Sequence, residues 1–501
     1  MTGSQEPDAS ARRRPTSRPH WPSMAWQEIE AAVRRLQRRI AKAVQDKKFR
    51  KAQALQWLLT HSWSAKLAAV KRVTSNKGKR TSGVDGVLWT TPEAKIQAAQ
   101  HLTRRGYRPQ PLRRIYLPKS NGKLRPLGIP TMQDRGMQAL HLLALAPVAE
   151  TLADPNSYGF RVHRQCADAM AQAFICLART TSGTQVLEGD ITACFDEISH
   201  QWLLDHVLMD RQVLRRWLTA GYIWQGDLFP TTAGTPQGGI ASPTLANLAL
   251  EGMEAVVRQA AHPQTAHFIR YADDFLVIAR ERAVLADRVM PAITAFLAER
   301  GLTLSREKTV ITSIDDGVDF LGQHLRKYGR RHKYLVKPAK KNVQRFLAKI
   351  QHYITASGHR TREQLVQGLN SKIRGWANFH RHSNAKDTFS RVDHVIWHAL
   401  LRRECRMNPQ IGKRELVRRY FHAGPYGAPP NSEPPMTRTA MRLIRAAHIP
   451  IVRHIKIRAT ANPFNPAEAD YFAARRRNRN PHKGEDTPRK PHGGIVVTRP
   501  G

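Results

Sequence analysis

The chain has 501 residues, which is long enough for two or three domains with separate cores. Its 81 Lys and Arg residues outnumber its 39 Asp and Glu residues and give a net charge of +42, and a surplus of this size indicates a polyanionic partner. Nucleic acid is the first candidate and an anionic membrane surface the second, but no apolar run approaches the roughly 20 residues that span a bilayer.

The N-terminal part is predicted to be basic throughout. Residues 1–22 are predicted to be disordered, and they lack the apolar core of a secretory signal. The four cysteines lack the spacing of a zinc site. We therefore expect a cytoplasmic protein with reduced thiols. Residues 23–110 are predicted to be helical. The first helix has one apolar face, and its other face carries only basic side chains: Arg34, Arg35, Arg38, Arg39 and Lys42. Such a face favours phosphate contacts over simple solvation.

A hairpin is predicted over residues 113–130, because two short apolar runs flank a Ser-Asn-Gly turn. Lys119, Lys123 and Arg125 lie close to this turn, where they could reach a triphosphate. Further along, the Gly-rich sequence GTPQGG precedes an apolar helix and would let a base or sugar approach the backbone closely.

Two adjacent carboxylates mark a second predicted hairpin, over residues 268–280, with Asp273 and Asp274 at its tip. Carboxylates in apolar surroundings repel each other, so burying them costs several kcal/mol unless a cation such as Mg²⁺ compensates. A bare Asp pair is most often an ordinary turn, and the pair therefore needs a partner. The candidate is Asp190, at the end of a predicted strand over residues 186–191, although alone it could equally cap a helix.

Beyond residue 340, three helices are predicted from apolar stripes at helical spacing. Basic residues are interleaved with these stripes: Lys372, Arg374, Arg381, Arg391, Arg402 and Arg403. The pattern predicts a helical bundle with basic faces.

Seven segments, in this order, resemble the successive blocks of a reverse transcriptase encoded by a group II intron: LPKSNGKLRPLGIP, SYGFR, GDITACFDEISH, TPQGGIASPTLAN, YADD, LSREKT and DFLG. A lone YADD is weak evidence, whereas seven blocks in the order of the family are strong evidence. The match runs from about residue 26 to residue 475. It implies an α+β right-hand polymerase fold with palm and fingers, followed by an α-helical thumb and maturase domain (domain X).

The resemblance also implies a division into domains. A disordered basic N-terminal segment would occupy residues 1–22, and a helical extension of the fingers residues 23–110. The fingers and palm would occupy residues 111–335, and the thumb and maturase domain residues 336–445. A DNA-binding segment would follow over residues 446–475, and a disordered basic tail over residues 476–501. Many relatives continue into an HNH endonuclease with two cysteine pairs. No cysteine follows Cys405, so that endonuclease is expected to be missing.

The resemblance implies the metal-binding residues. Asp190 and Asp273 would be the main ligands of two Mg²⁺ ions, with Asp274 as a supporting ligand and Ile191 beside them. One ion would lower the pKa of a primer 3′-hydroxyl and the other would stabilise the leaving pyrophosphate. Phe195 would be the steric gate that rejects a ribose 2′-hydroxyl, unless it is an ordinary core aromatic.

Further binding residues are implied in the same way. Those expected to bind the nucleotide are Lys119, Arg125, Phe195, Gln237 and Lys308. Lys308 would protonate the leaving pyrophosphate, or it could equally be a surface lysine. Those expected to bind RNA are Arg34, Arg38, Lys372, Arg374 and Arg381.

The implied function is RNA-directed DNA synthesis on intron RNA, together with a maturase role in splicing and mobility of that intron. The expected partners are group II intron RNA, target DNA and dNTPs, and no membrane is expected. The protein would associate with the nucleoid when it binds target DNA. The oligomeric state is left open. One alternative is a domesticated or defence-associated reverse transcriptase without an intron partner. Another is an RNA-binding splicing factor with an inactive palm, against which the set of three carboxylates counts.

Overall fold

The computed structural model describes most of the chain between residues 20 and 479. The described ranges are residues 20–118, 122, 124–179, 181–235, 238–422, 424–427 and 442–479. Two of the predicted nucleotide-binding residues, Lys119 and Gln237, therefore lie outside the described residues. The same holds for most of the two predicted disordered ends.

The N-terminal part is a layer of helices packed on one long helix. These helices are α1 (Trp26–Gln45), α2 (Phe49–His61), α3 (Trp63–Ser75), α4 (Pro92–His101) and the long helix α5 (Met132–Leu152). The apolar face predicted for the first helix is confirmed, because Val33, Ile40 and Val44 are at most 5% exposed. The Gln37 side chain, on the same face, donates to the Leu143 carbonyl at 2.8 Å and ties α1 to α5. The basic face of α1 is exposed.

The strands of the described residues form three sheets. In chain order they are β1 (Leu112–Pro118), β2 (Leu124–Ile129), β3 (Gln185–Gly189), β4 (Tyr222–Trp224), β5 (Asp227–Phe229), β6 (His267–Tyr271), β7 (Asp274–Ala279), β8 (Val310–Ser313), β9 (Val318–Phe320), β10 (Gln323–Tyr328) and β11 (Lys333–Pro338). The first sheet has the order β2-β1-β4-β5, the central sheet β6-β7-β3-β8 and the third sheet β11-β10-β9.

Both predicted hairpins are confirmed. β1 pairs antiparallel with β2, from Arg113 opposite Ile129 to Pro118 opposite Leu124. In the central sheet, β6 pairs antiparallel with β7, and β3 pairs antiparallel with the other side of β7. The end of β3 therefore lies next to the start of β7, which brings the two acidic sequences to the same end of the sheet.

The central sheet is covered on both faces. Leu187 and Val277 belong to a core shared with the N-terminal helices, whereas Val186 and Ile278 belong to a core on the opposite face. Because successive side chains of a strand point to opposite faces, a strand buried on both sides is apolar throughout, as the run FLVIA in β7 is. The helices around this sheet are α6 (Cys166–Leu177), α7 (Cys194–Glu197), α8 (His200–His206), α9 (Arg211–Leu218), α10 (Ser242–Ala249), α11 (Met253–Ala261) and α12 (Met290–Ala298).

A helical bundle with its own core follows the third sheet. Its helices are α13 (Lys340–Thr355), α14 (Arg362–His380), α15 (Lys386–Met407) and α16 (Lys413–Val417). The predicted apolar stripes are buried, as Ile350, Ile373 and Ile396 show at no more than 1% exposure. The fully buried Glu404 carboxylate is compensated by two guanidinium groups, at 2.8 Å from Arg362 and 2.6 Å from Arg403.

The C-terminal described segment, residues 442–479, returns from the helical bundle to the central sheet and ends in α17 (Ala469–Arg479). The Val452 amide donates to the Arg381 carbonyl at the end of α14, at 2.9 Å. On the other side, the buried Asp168 carboxylate of α6 accepts from the Ile457 amide at 2.8 Å and from Arg475 at 2.7 Å. This segment therefore bridges the bundle and the sheet.

Short irregular helices complete the described residues. The 3₁₀ segments are Trp21–Ser23, Lys77–Arg80, Ala446–His448 and Pro466–Glu468, and the π-helical segments are Val284–Val289 and Arg418–His422. Within the described part of the chain, no helix combines the length and the apolar character that crossing a membrane requires.

Candidate active site

The tip of the β6–β7 hairpin carries Asp273 and Asp274. Asp274 pairs with Tyr271 across the turn, and Ala272 adopts a left-handed conformation with φ 60°. Gly159, from the SYGFR segment, packs against this turn so closely that a Cβ there would lie 2.3 Å from the Ala272 amide nitrogen. No other residue fits at position 159 without displacing the turn that carries the carboxylates.

Asp190 directly follows β3 and lies beside this turn. Its carboxylate is within hydrogen-bonding reach of Asp274. The close approach requires Gly189 at the end of β3, because a Cβ there would lie 2.2 Å from the Phe275 ring on β7. The backbone around Asp190 is held from the far side, where the Ser305 amide donates to its carbonyl at 2.8 Å.

Ile191 is placed beside the carboxylates by the same backbone. It forms an isolated antiparallel bridge with Leu304, and its side chain is buried. Its expected role beside a metal site stays a prediction.

A lysine occupies the place of a counter-ion. The Lys308 ammonium lies 2.6 Å from the Asp190 carboxylate, and this hydrogen bond raises the pKa of Lys308. The Lys308 side chain is 66% exposed, so the pair lies at the mouth of the site rather than in its core. One ammonium faces three carboxylates, which leaves the site with an excess of negative charge.

The excess negative charge appears in the pKa values of the two hairpin carboxyls. Enclosure by protein, together with the charges of Asp273 and Asp190, raises the pKa of Asp274 to about 7, although the residue is partly exposed to solvent. Burial also raises the pKa of Asp273, and Asp190 adds to that shift. Each group is therefore easier to protonate in the folded protein than in the unfolded chain.

These shifts predict a pH dependence of the metal-free protein. A carboxyl with a raised folded pKa costs no stability below its unfolded pKa, and it lowers the free energy of unfolding as the pH rises from about 4 to about 7, above which the loss is complete. We expect Tm in the presence of a chelator to fall more between about pH 5.5 and about pH 8 for the wild type than for Asp274→Asn. Thermal unfolding of both proteins at the two pH values measures this, and equal falls would contradict the assignment of repulsion to Asp274.

The carboxylates open into a cleft of about 1460 Å³. Predicted site residues that line it are Arg125, Asp190, Ile191, Phe195, Asp273 and Lys308. The Phe195 ring meets the Phe160 ring edge-on with 6.1 Å between centroids, and both rings line the cleft. The structure thus brings these six predicted site residues to one cleft, and Asp274 follows Asp273 in the same turn without lining the cleft.

Those RNA-binding residues lie elsewhere, on helices around the cleft. Arg34 and Arg38 are exposed on α1, and Arg374 is exposed on α14. Lys372 is half-buried, with its ammonium 4.4 Å from the centroid of the Tyr353 ring. These positions are compatible with RNA contact without establishing it.

The carboxylate set fits a hard divalent cation. The described residues contain no group of three His, Cys, Asp or Glu side chains already arranged as the ligands of one ion. The donor chemistry nevertheless matches, because Asp190, Asp273 and Asp274 offer only carboxylate oxygens, which Mg²⁺ prefers. Burial and the neighbouring charges of Asp273 and Asp190 raise the pKa of Asp274, and a bound cation would lower it.

One residue that the sequence reasoning missed supports the site from below. Arg270, on β6, is completely buried and donates to the Asn247 side chain at 3.1 Å and to the Ala272 carbonyl at 3.3 Å. Its own backbone pairs with the strand-like segment around Tyr158. An arginine at a core position of an apolar strand was the available signal, because such a residue needs dedicated partners.

Three family models match consecutive parts of the chain. The model described as the N-terminal domain of reverse transcriptase matches residues 21–102. The model described as reverse transcriptase (RNA-dependent DNA polymerase) matches residues 117–325. The model described as the group II intron, maturase-specific domain matches residues 343–421.

Known proteins match the chain over similar regions. Protein YkfC of Escherichia coli (strain K12) is 32% identical over 338 residues, which are 58% of this chain and 88% of YkfC. Group II intron-encoded protein LtrA of Lactococcus lactis subsp. cremoris is 37% identical over 201 residues, 38% of this chain and 33% of LtrA. Maturase-like protein 1 of Euglena gracilis is 25% identical over 389 residues, 75% of this chain and 80% of that protein. The chain thus spans most of YkfC but only a third of LtrA.

Proposed function

The chain belongs to the group II intron reverse transcriptases that carry a maturase domain, and we propose that it copies intron RNA into DNA and assists the splicing and mobility of that intron. As a member of this family it is an RNA-directed DNA polymerase. One observation supports the proposed chemistry above the others: Asp190, Asp273 and Asp274 converge at one end of the central sheet, and Asp190 and Asp273 line a cleft together with Arg125 and Phe195.

In this proposal Asp190 and Asp273 hold two Mg²⁺ ions, with Asp274 and the Ile191 backbone in support. When bound, such ions lower the pKa of a primer 3′-hydroxyl and stabilise charge on a leaving pyrophosphate. The residues of the chain do the positioning. Arg125, on the exposed wall of the cleft, would pair with the triphosphate, and Lys119 and Gln237 are proposed to complete the nucleotide site.

Lys308 has two tasks in this proposal. Its ammonium forms an ion pair with the Asp190 carboxylate. If Asp190 held a cation instead, the Lys308 ammonium would be free to contact the triphosphate. Lys308 is then proposed to donate a proton to the pyrophosphate oxygen as that group leaves.

Phe195 is proposed to exclude ribonucleotides. Its ring lines the cleft beside the carboxylates, so a 2′-hydroxyl on an incoming sugar would meet the ring. We expect Phe195→Val to lower the preference for dNTPs over rNTPs by roughly tenfold or more, because the removed ring leaves space for the hydroxyl. Primer extension with each nucleotide set supplied separately measures the ratio of kcat/KM values.

A matched control for this change is Phe174→Val. Phe174 lies on α6, is 47% exposed and packs on Tyr334, away from the cleft. The Phe174→Val protein should prefer dNTPs over rNTPs by the same ratio as the wild type. A Phe195→Val protein with unchanged preference would show that this ring serves only packing.

The intron partner is supported by the helical bundle. Residues 343–421 match the maturase-specific domain, which a domesticated or defence-associated reverse transcriptase without an intron would not need. The proposed partners are group II intron RNA, target DNA and dNTPs, and the net charge of +42 suits all three. We place the activity in the cytoplasm, at the nucleoid when target DNA is bound.

The proposed function is tested by primer extension on an RNA template with dNTPs and Mg²⁺. Extension that requires Mg²⁺ and is abolished by a chelator is expected. A folded protein that binds the primed template but adds no nucleotide would overturn the proposal and favour the splicing factor with an inactive palm.

A further inference from the structure

A second pocket shares no lining residue with the carboxylate cleft. It has a volume of about 310 Å³, and three separate parts of the chain line it: α1, the residues around Arg161 and the C-terminal segment with the sequence NPFNP. The volume is at the lower end of the range for small-ligand sites, which exceeds what a single ion needs.

The charged side chains of this pocket are unbalanced. Its lining includes four cations, Arg38, Lys42, Arg161 and Arg164, and one carboxylate, Glu150. The Arg161 guanidinium forms a two-point ion pair with the Glu150 carboxylate, with nitrogens 2.7 Å and 3.0 Å from its two oxygens. Arg164 has only a 3.5 Å approach to it. One buried carboxylate thus serves two buried guanidinium groups.

Arg164 is the residue that this imbalance affects most. Its side chain is 1% exposed. Its Nη2 donates to the Ala459 and Ala461 carbonyls at 2.9 Å and 3.2 Å, but its Nη1 has no hydrogen-bond partner among the described residues. A buried cation without full compensation is costly, and an anion beside it would relieve that cost.

The open end of the pocket extends the positive charge to the surface. Arg38 and Lys42 are exposed on the basic face of α1, which continues through Arg34, and the Lys42 ammonium also lies 3.0 Å from the Asp46 carboxylate. Phe464, half-buried in the NPFNP sequence, also lines the pocket. Guanidinium groups recognise phosphate through paired N–H donors, and an aromatic ring offers a surface on which a base can stack.

We propose that this pocket binds one phosphate group of a nucleic-acid strand, with Arg164 at its closed end, Arg38 and Lys42 at its mouth and Phe464 beside the attached nucleoside. The NPFNP sequence then has a definite task, since it closes the pocket over the strand. The proposal rests on the proposed function only in taking nucleic acid as the partner.

The test measures the binding of a short, labelled single-stranded DNA to the full chain. Fluorescence anisotropy gives Kd at several salt concentrations. Lys42→Gln and Arg164→Met should each weaken binding several-fold. Each should also lower the slope of log Kd against log salt by about 0.7, the loss of one phosphate contact on a single strand.

Lys51→Gln is the matched control. It removes the same charge from an exposed position on α2 that does not line the pocket. Its affinity and slope should equal those of the wild type. A Lys42→Gln protein with the affinity and slope of the wild type would overturn the proposal, and this variant decides alone if Arg164→Met does not fold.

A second arm separates a nucleic-acid strand from a free phosphate anion. Inorganic phosphate is titrated in thermal unfolding of the wild type and Lys42→Gln. If phosphate raises Tm of the wild type more than that of Lys42→Gln while DNA binding is the same in both, the pocket takes a free anion and the strand assignment is overturned. Primer extension by the wild type, measured in parallel, tests the polymerase itself and is read separately from either arm.

Discussion

Asp273→Ala should abolish most cDNA synthesis while leaving the protein folded. The change removes a proposed ligand of the metal ions, and losing metal-held charge in the transition state costs about 4 kcal/mol of barrier, roughly a thousandfold in rate. The fold should survive, because burial and Asp190 raise the pKa of Asp273, so its carboxylate is a source of repulsion at neutral pH. Primer extension and thermal unfolding of the same preparation measure the two effects.

Splicing assisted by the Asp273→Ala protein should stay close to that of the wild type. The hairpin carboxylates are proposed to act in nucleotide transfer, whereas RNA folding would depend on the cationic surfaces of α1 and the helical bundle. Asp316→Ala, an exposed carboxylate next to β9, is the control and should retain both activities. Loss of splicing in a folded Asp273→Ala protein would contradict the division of the chain into a polymerase and a maturase part.

Arg270→Met should destabilise the protein strongly and lower its polymerase activity. Arg270 is fully buried, and its guanidinium joins the Asn247 side chain to the Ala272 carbonyl in the turn that carries the carboxylates. Removing a buried charge and leaving its partners unsatisfied typically costs about 3–5 kcal/mol. We therefore expect a lower free energy of unfolding in urea and, at a temperature where the variant is folded, a reduced kcat.

Arg258→Met is the matched control for this change. Arg258 also pairs with an acidic residue of the same region, Glu254, but its side chain is 74% exposed. Exposed pairs contribute about 0–1 kcal/mol, so this variant should resemble the wild type in stability and activity. If Arg270→Met were no less stable than Arg258→Met, the buried arginine would not be what holds the turn.

The separate elements of this protein could be predicted from the sequence because each depends on neighbours in the chain. The hairpin with Asp273 at its tip and the helix with an apolar face through Ile40 follow from local periodicity and turn residues. The negative charge of the Asp pair and the need for a cation also follow from adjacent residues alone. The strand predicted before Asp190 made that residue the candidate partner, and the family resemblance implied its role as a metal ligand.

What the sequence could not supply are the contacts between distant parts of the chain. The strand order β6-β7-β3 places Asp190 beside Asp274, and the register that sets Gly189 opposite Phe275 makes the approach close. The ion pair of Lys308 with Asp190 depends on the same register.

The C-terminal segment shows the same limit. The resemblance implied a DNA-binding segment over residues 446–475, and that function stays a prediction; only the structure shows that the segment packs against the buried Asp168 and Arg164 and lines the second pocket. Periodicity and turn chemistry describe only which faces are apolar and where the chain bends. Which faces meet is decided by the packing of the whole core, since a buried charge such as Arg164 or Arg270 is tolerated only where distant residues supply its partners.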